Sequence, residues 1–298
     1  MATVRDGIKL LWSIPQAMRV IRRVRPDVIF STGGYIAIPT LIAAWLTRTP
    51  SLLWEGNVQA GRSNTLVAPL ATHRAVAWRQ TAEHAPWSGA KTTVTGTPVR
   101  ELTVDRATAR AARGLSASDQ LLLVFGGSQR VRRFETALDG ALATLLTEWR
   151  VLHVVLDGLP DAERRRENLP AELRERYLPV DFLGGGAMEA ALVAADLMLG
   201  RAGASTIAEA AAAALPAIIV PYPFAGGHQR ANAEAAAAAG AATLINDDDL
   251  TAERLLAAVA TYATPAQRAA AARAATTLAH RDASTVIAKK LLQLGGQR

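Results

Sequence analysis

Leu121-Leu-Leu-Val-Phe-Gly-Gly-Ser128-Gln129 is the stretch on which the fold turns. An apolar run ends abruptly in two glycines, a hydroxyl and an amide, as a buried strand ends in a turn. Glycine lets a ligand approach the backbone, and a helix that follows presents free N–H groups to phosphate. Open α/β sheets bind ligands at strand ends of this kind. Gly-Gly-Ser by itself is equally an ordinary strand-to-helix turn. Neither G-x-x-x-x-G-K-[ST] nor G-x-G-x-x-G occurs, so a P-loop or a dinucleotide fingerprint is not supported.

Working outward, short Val/Ile/Leu-rich runs alternate with helical stretches. Strands are expected at 26–30, 51–54, 74–78 and 92–95, then at 121–125, 151–156, 180–183, 197–199, 217–220 and 242–245. The pattern predicts parallel sheets covered on both faces, the doubly wound α/β class. Gly96–Asp105, with Pro98 inside, reads as the inter-domain linker. This predicts a first domain over 1–103, a second over 104–281 and a last helix over 282–298. Helices are expected near 251–262, 265–280 and 283–294. They must pack on something, and one option is that the last returns to the first domain. Alanine runs such as Ala210–Ala214 and Ala235–Ala239 read as helix.

Composition narrows the chemistry. The 298 residues suffice for two domains, and half are hydrophobic. With no cysteine, disulfides, thiolate nucleophiles and Cys-ligated zinc are excluded. No apolar run approaches a membrane span, and the N-terminus has no signal-peptide pattern. The net charge of +7 suggests an anionic partner. Much of it sits in residues 1–25, where Arg5, Lys9, Arg19, Arg22, Arg23 and Arg25 face one acid, Asp6.

Two further strand ends carry polar groups. In Leu199-Gly-Arg201-Ala-Gly203-Ala-Ser-Thr206-Ile-Ala-Glu209, Arg201 offers a fork of donors to a diphosphate. Ser205 or Thr206 can cap the next helix, and Glu209, one turn on, can accept from vicinal ribose hydroxyls. Arg201 and Glu209 could equally form a surface pair. In Pro221-Tyr-Pro-Phe-Ala-Gly-Gly-His228-Gln229-Arg-Ala-Asn232, His228 and Gln229 suit sugar hydroxyls. Three consecutive polar, Gly-rich strand ends line one edge of one sheet.

These residues carry a family resemblance. Gly126-Gly-Ser-Gln129, Arg201–Glu209 and Pro221…His228-Gln229…Asn232 resemble the donor half of the MurG family. Pro26-Asp-Val-Ile-Phe-Ser-Thr-Gly-Gly-Tyr35, Trp54-Glu-Gly-Asn57 and Gly96-Thr-Pro-Val-Arg100 match the same family in order. The resemblance implies a GT-B-like fold, two Rossmann-like domains facing across a cleft. It implies inverting transfer of N-acetylglucosamine from UDP-N-acetylglucosamine to the undecaprenyl-linked acceptor lipid I, giving lipid II. It implies no required cofactor and no metal. Carried across, Arg100, Ser128 and Gln129 lie near the diphosphate, the Leu183 backbone holds uracil, and Glu209 holds the ribose. Arg201, Ala204 and Thr206 take the nucleotide side, and His228 and Gln229 the sugar. Gly33, Gly34, Tyr35, Glu55 and Asn57 face the acceptor, with Glu55 the candidate catalytic carboxylate.

The sequence departs from the family pattern at Trp54-Glu-Gly56, where the family reads His-Glu-Gln, and at Arg130-Val131, where it reads Gly-Ala. Arg130 puts a charge beside the phosphate turn. The family's opening Gly-Gly-Thr-Gly-Gly-His loop has no counterpart here, so a first domain of about four strands is expected. A non-catalytic UDP-sugar-binding remnant, or another enzyme of this fold such as a 2-epimerase, are the competing readings.

In residues 8–25, Ser13 and Gln16 make a capping-box pattern with Pro15 in the first turn. Arg19, Arg22 and Arg23 then share one helix face. With Leu11, Trp12, Met18 and Trp45 they form a candidate membrane patch, placing the protein peripherally on the cytoplasmic face of an anionic plasma membrane. A helix packed on the sheet with a solvated Arg face is the other reading. No pattern for nucleic-acid binding accompanies the charge. The acidic run Asp247–Asp249 precedes a helix and is expected to cap it rather than to bind metal.

Overall fold

A computed structural model describes residues 4–127, 129–224 and 227–296, without the side chains of 4–9 and 11. The chain forms two compact units, one of Met1–Pro98 with His280–Arg298, the other of Val99–Ala279.

In the first unit, α1 (Val4–Val24) leads into β1 (Ile29–Ser31), α2 (Ala37–Leu46), β2 (Ser51–Glu55), α3 (Arg62–Val67), β3 (His73–Val76), α4 (Arg79–Ala82) and β4 (Thr92–Val94). The four strands lie in chain order and are parallel throughout. Side chains alternate faces along each strand. Leu53 and Val76 therefore pack under α2 and α3 with Ile38, Leu41 and Val67. Leu52 and Ala75 point the other way, against Ile287 and Leu294.

The second unit holds α5 (Arg106–Ala111), β5 (Gln120–Phe125), α6 (Arg132–Glu148), β6 (Trp149–Val154), α7 (Leu159–Glu167) and β7 (Tyr177–Val180). It continues through α8 (Gly186–Ala194), β8 (Leu197–Gly200), α9 (Ala204–Ala212), β9 (Ala217–Ile219), α10 (His228–Ala238), β10 (Ala242–Leu244), α11 (Ala252–Ala260) and α12 (Pro265–Thr277). The last helix, α13 (Ala283–Gly295), returns to the first unit, where Ile287, Leu291 and Leu294 cover one face of its sheet.

The second sheet is parallel with order β10-β9-β8-β5-β6-β7. The chain starts in the middle, builds to one edge, then crosses back past β5 to build the other. The strand order therefore reverses between β5 and β8, the switch point outside which such sheets bind ligands. Leu122, Val124, Leu197, Leu199, Ile218 and Val220 are fully buried under α6 and α11.

Two local expectations change. The helix expected to start at Ser13 instead runs unbroken from Val4 through Pro15. The Ser13 hydroxyl donates to the Leu10 carbonyl at 2.5 Å rather than capping. Proline removes a single N–H, and packing of Ala17, Met18 and Ile21 against Ala43 and Ala44 sustains the helix through it. The strand expected at 180–183 lies at Tyr177–Val180, because the Tyr177 ring is wholly buried while Phe182 turns out to solvent.

Candidate functional site

The ends of β5, β8 and β9 present the three turns singled out by sequence. The β5–α6 turn is tight: a Cβ on Gly126 would lie 2.4 Å from the Gln129 carbonyl, and Gly127 has φ +86°. Gln129 is exposed beside it, and Ser128 lies outside the described residues. At the β8–α9 turn, Thr206 is buried and Ala204 opens the helix. Asn232, fully buried on α10, donates to the Ala202 carbonyl at 3.1 Å and so ties this turn to the next. His228 and Gln229 begin α10, and Gln229 Oε1 accepts the Tyr222 N–H at 2.9 Å. That glutamine side chain therefore shapes its own loop.

A cavity of about 270 Å³ in the second unit brings Arg100, Leu183 and Glu209 together, with Phe182, Met188 and Leu192 as apolar lining. Leu183 follows β7, Glu209 lies on α9, and Arg100 comes from the segment leading into α5. Burial raises the Glu209 carboxyl above the ordinary glutamate range, and Arg100 partly offsets this. Two carboxylates and one guanidinium face this apolar lining: Glu189 is taken by the Thr103 hydroxyl at 3.0 Å and the Val104 N–H at 3.2 Å, which leaves Glu209 and Arg100 to suit a ligand with a flat ring, hydroxyls and negative charge.

Arg201 is placed otherwise than expected. Its Nη1 donates to Asp247 at 2.5 Å and to the Val220 carbonyl at 3.2 Å. The guanidinium lies 5.2 Å from the Phe134 ring centre and 5.6 Å from that of Tyr222. Among the described residues it makes no ion pair with Glu209, and its Nη1 is taken by Asp247 and the chain end of β9. Asp247 also takes Arg133 at 2.7 Å, and Asp248 takes Arg133 at 2.7 Å. The acidic run thus binds arginines. The helix it was expected to cap is capped by Thr251, which accepts from the Arg254 N–H.

In the first unit, Glu55 is 2% exposed and accepts four hydrogen bonds. Oε1 takes the Asn57 backbone N–H and Nδ2, both at 2.9 Å. Oε2 takes the Gly61 N–H at 2.9 Å and Asn64 Nδ2 at 2.8 Å. These four donors enclose the carboxylate, so where a catalytic carboxylate was expected the structure shows Glu55 organising the β2–α3 loop. Asn64, which sequence reading missed, carries the order onward: its Oδ1 accepts the Gly34 N–H at 3.0 Å. Gly33, at φ +94°, must be glycine, since a Cβ would meet the Asn64 amide at 2.2 Å. Tyr35 and Ile36 project from this loop, 77% and 81% exposed.

Of the basic helix, Arg19, Arg22 and Arg23 are exposed, as are Trp12 and Trp45. Met18 is corrected to an inward position, half-buried against Ala43 and Ala44. The Leu11 side chain is outside the described residues. No helix among the described residues is long and apolar enough to cross a membrane.

Residues 121–288 match the glycosyltransferase family 28 C-terminal domain, and residues 2–76 the glycosyltransferase family 28 N-terminal domain. A UDP-N-acetylglucosamine–N-acetylmuramyl-(pentapeptide) pyrophosphoryl-undecaprenol N-acetylglucosamine transferase from Nocardioides sp. is 35% identical, across 97% of this chain and 80% of its own. The crystal structure of Acinetobacter baumannii MurG superposes with TM-score 0.80 and 26% identity over 97% of this chain and 79% of that one. A UDP-GlcNAc 2-epimerase from Neisseria meningitidis, bound to UDP-GlcNAc, reaches TM-score 0.67 at 14% identity, over 94% of this chain and 80% of that one, which is a likeness of fold alone. Two parallel-sheet units, each matched by a domain of the same family, place this chain in glycosyltransferase family 28 and within it in the MurG family.

Proposed function

We propose that this chain is an inverting N-acetylglucosaminyltransferase that uses UDP-N-acetylglucosamine and an undecaprenyl-pyrophosphoryl muramoyl-pentapeptide as donor and acceptor. The observation that carries the donor half is the pocket uniting Arg100, Leu183 and Glu209 in one unit. The Leu183 backbone meets the uracil edge, Glu209 accepts from the ribose hydroxyls, and Arg100 faces the diphosphate. Gln129, Ala204 and Thr206 line the nucleotide's path, and His228 and Gln229 face the sugar. The acceptor hydroxyl attacks the anomeric carbon, whose bond to the diphosphate oxygen breaks, and UDP leaves. Charge developing on UDP is met by Arg100 and by the free N–H groups at the start of α6. Gly33, Gly34, Tyr35 and Asn57 shape the acceptor side, with the Gly34 N–H held by Asn64 and the Asn57 N–H by Glu55.

Calorimetric titration tests the donor reading. UDP-N-acetylglucosamine should bind in preference to UDP-glucose, and equal affinities would sink the sugar assignment. Glu209→Ala should lose about 1–3 kcal/mol of UDP affinity. The pH dependence has a definite sign. Ribose hydroxyls donate to the ionised carboxylate, so affinity is complete above the raised Glu209 pKa and falls as pH drops through it. Glu209→Gln should remove that fall, and its persistence in the variant would assign it to another group.

Arg19, Arg22 and Arg23, with Trp12 and Trp45, suit the surface of an anionic bilayer, on the cytoplasmic side where a nucleotide sugar is available. Replacing the three arginines by glutamine should weaken binding to phosphatidylglycerol vesicles by about 1 kcal/mol per charge, without changing UDP affinity. Unchanged sedimentation with such vesicles would refute the patch.

A further inference from the structure

The residue after the phosphate turn, Arg130, is tethered away from it on the far side. Its Nε and Nη2 donate to the two oxygens of Glu135 at 2.6 and 2.7 Å. Nη2 also donates to Asp161 at 2.6 Å. Glu135 lies in the first turn of α6 and is buried; Asp161 lies in the first turn of α7 and is partly exposed. One guanidinium thus joins the β5–α6 turn to the β6–α7 turn.

Both turns are shaped for it. A Cβ on Gly158 would come within 2.9 Å of Arg130 Nε and 3.0 Å of Cζ, so the guanidinium fills the space that a side chain would take. Just before Gly158, Leu156 and Asp157 have φ +40° and +51°, a conformation that non-glycine residues adopt only when held. On the other side, Gly126 and Gly127 allow the chain to fold back within four residues. A turn this rich in glycine has no stiffness of its own. Its first end is fixed by β5 and its second by Val131, which packs on the core ahead of α6, and by the Arg130 tether. The two carboxylates neutralise the Arg130 charge and leave little for an anion.

We propose that Arg130 is a positioning residue of the donor site: it does not touch the diphosphate but pins the turn, so that the Gly127 and Gln129 backbone keeps one orientation towards it. This rests on the donor reading above. Small displacements of such a cradle are costly because its N–H groups are directional. Gly158 is the partner position, kept bare so that the guanidinium can lie over it.

The test compares Arg130→Ala, Arg130→Lys, Gly158→Ala and Asp161→Asn by UDP calorimetry, donor KM and kcat, and thermal midpoint. Arg130→Ala and Gly158→Ala should raise the UDP Kd and donor KM about tenfold, with kcat at saturating donor falling less. Arg130→Lys, which keeps one charged contact, should fall between. Asp161→Asn changes a partly exposed side chain, so it keeps the test valid if Arg130→Ala does not fold. It should weaken UDP binding about threefold at an unchanged midpoint. Tighter UDP binding in Asp161→Asn would overturn the proposal, because it would mean that freeing Arg130 lets it bind phosphate directly. Wild-type affinity in Arg130→Ala would overturn it as well. Should the wild-type protein bind no UDP, the donor reading fails instead. Amide exchange at Gly127 and Gln129 then decides the tether: faster exchange in Asp161→Asn supports it, and equal exchange rejects it.

Discussion

Glu55→Ala is expected to destabilise the first unit by about 3–5 kcal/mol, because it leaves four donors enclosed without an acceptor. Two of these are backbone N–H groups, on Asn57 and Gly61, and two are amide hydrogens, on Asn57 and Asn64. The loss propagates. Without the carboxylate, Asn64 is no longer oriented, and the Gly34 N–H loses its partner as well. Glu55→Gln should cost less, since one amide oxygen can still serve one pair of donors. Five of the six tryptophans lie in the first unit, so fluorescence in a urea titration reports mainly on it. The alternative is explicit. If Glu55→Ala keeps its urea midpoint while kcat collapses, Glu55 acts on the acceptor after all and its assignment as loop organiser is wrong.

The second large effect is expected at Asp247. Asp247→Asn leaves Arg201 facing a neutral amide, with an 11% exposed side chain and two ring faces around it. Removing one partner of a buried pair costs about 3–5 kcal/mol, far more than the pair itself contributes. Arg133, the other partner, is half exposed, so its share is screened and small. Arg133→Ala should therefore be nearly neutral. A double change, Arg201→Met with Asp247→Leu, should recover most of the loss, since apolar residues of similar size remove both charges at once. The measurement is a double-mutant cycle on thermal unfolding of the second unit. Arg201→Ala gives the sharper functional contrast. Loss of UDP affinity at unchanged stability would return Arg201 to the diphosphate and refute its role as a brace between β8, β9 and the Asp247 turn.

These residues mark the division between what sequence reading could and could not reach. The ten strands, the alternation with helices and the three glycine turns are properties of neighbouring residues. A run of Leu and Val that ends in Gly-Gly declares a strand and its turn within nine positions, Leu121 to Gln129. The MurG resemblance is carried by the same local words, so Arg100, Leu183 and Glu209 could be named before they were seen in one pocket. Helix α1 shows the limit even locally. Ser13 and Pro15 spell a helix start, yet burial of Ala17, Met18 and Ile21 carries the helix through them.

Side-chain partnership lay beyond reach, because it joins residues far apart in the chain. Glu55 sits in a motif and carries the chemistry of a base, and only its enclosure by Asn57, Gly61 and Asn64 shows that it organises a loop. Arg201 and Arg130 both stand in glycine-bearing turns at strand ends with charge to offer. Asp247, 46 residues on, takes the first, and Asp161, 31 residues on, shares the second with Glu135. Sequence by itself therefore determined the strands, the glycine turns and the family. Tertiary structure alone decided which charged groups line an open pocket and which are neutralised inside the protein, because partners far apart in the chain meet only when it folds.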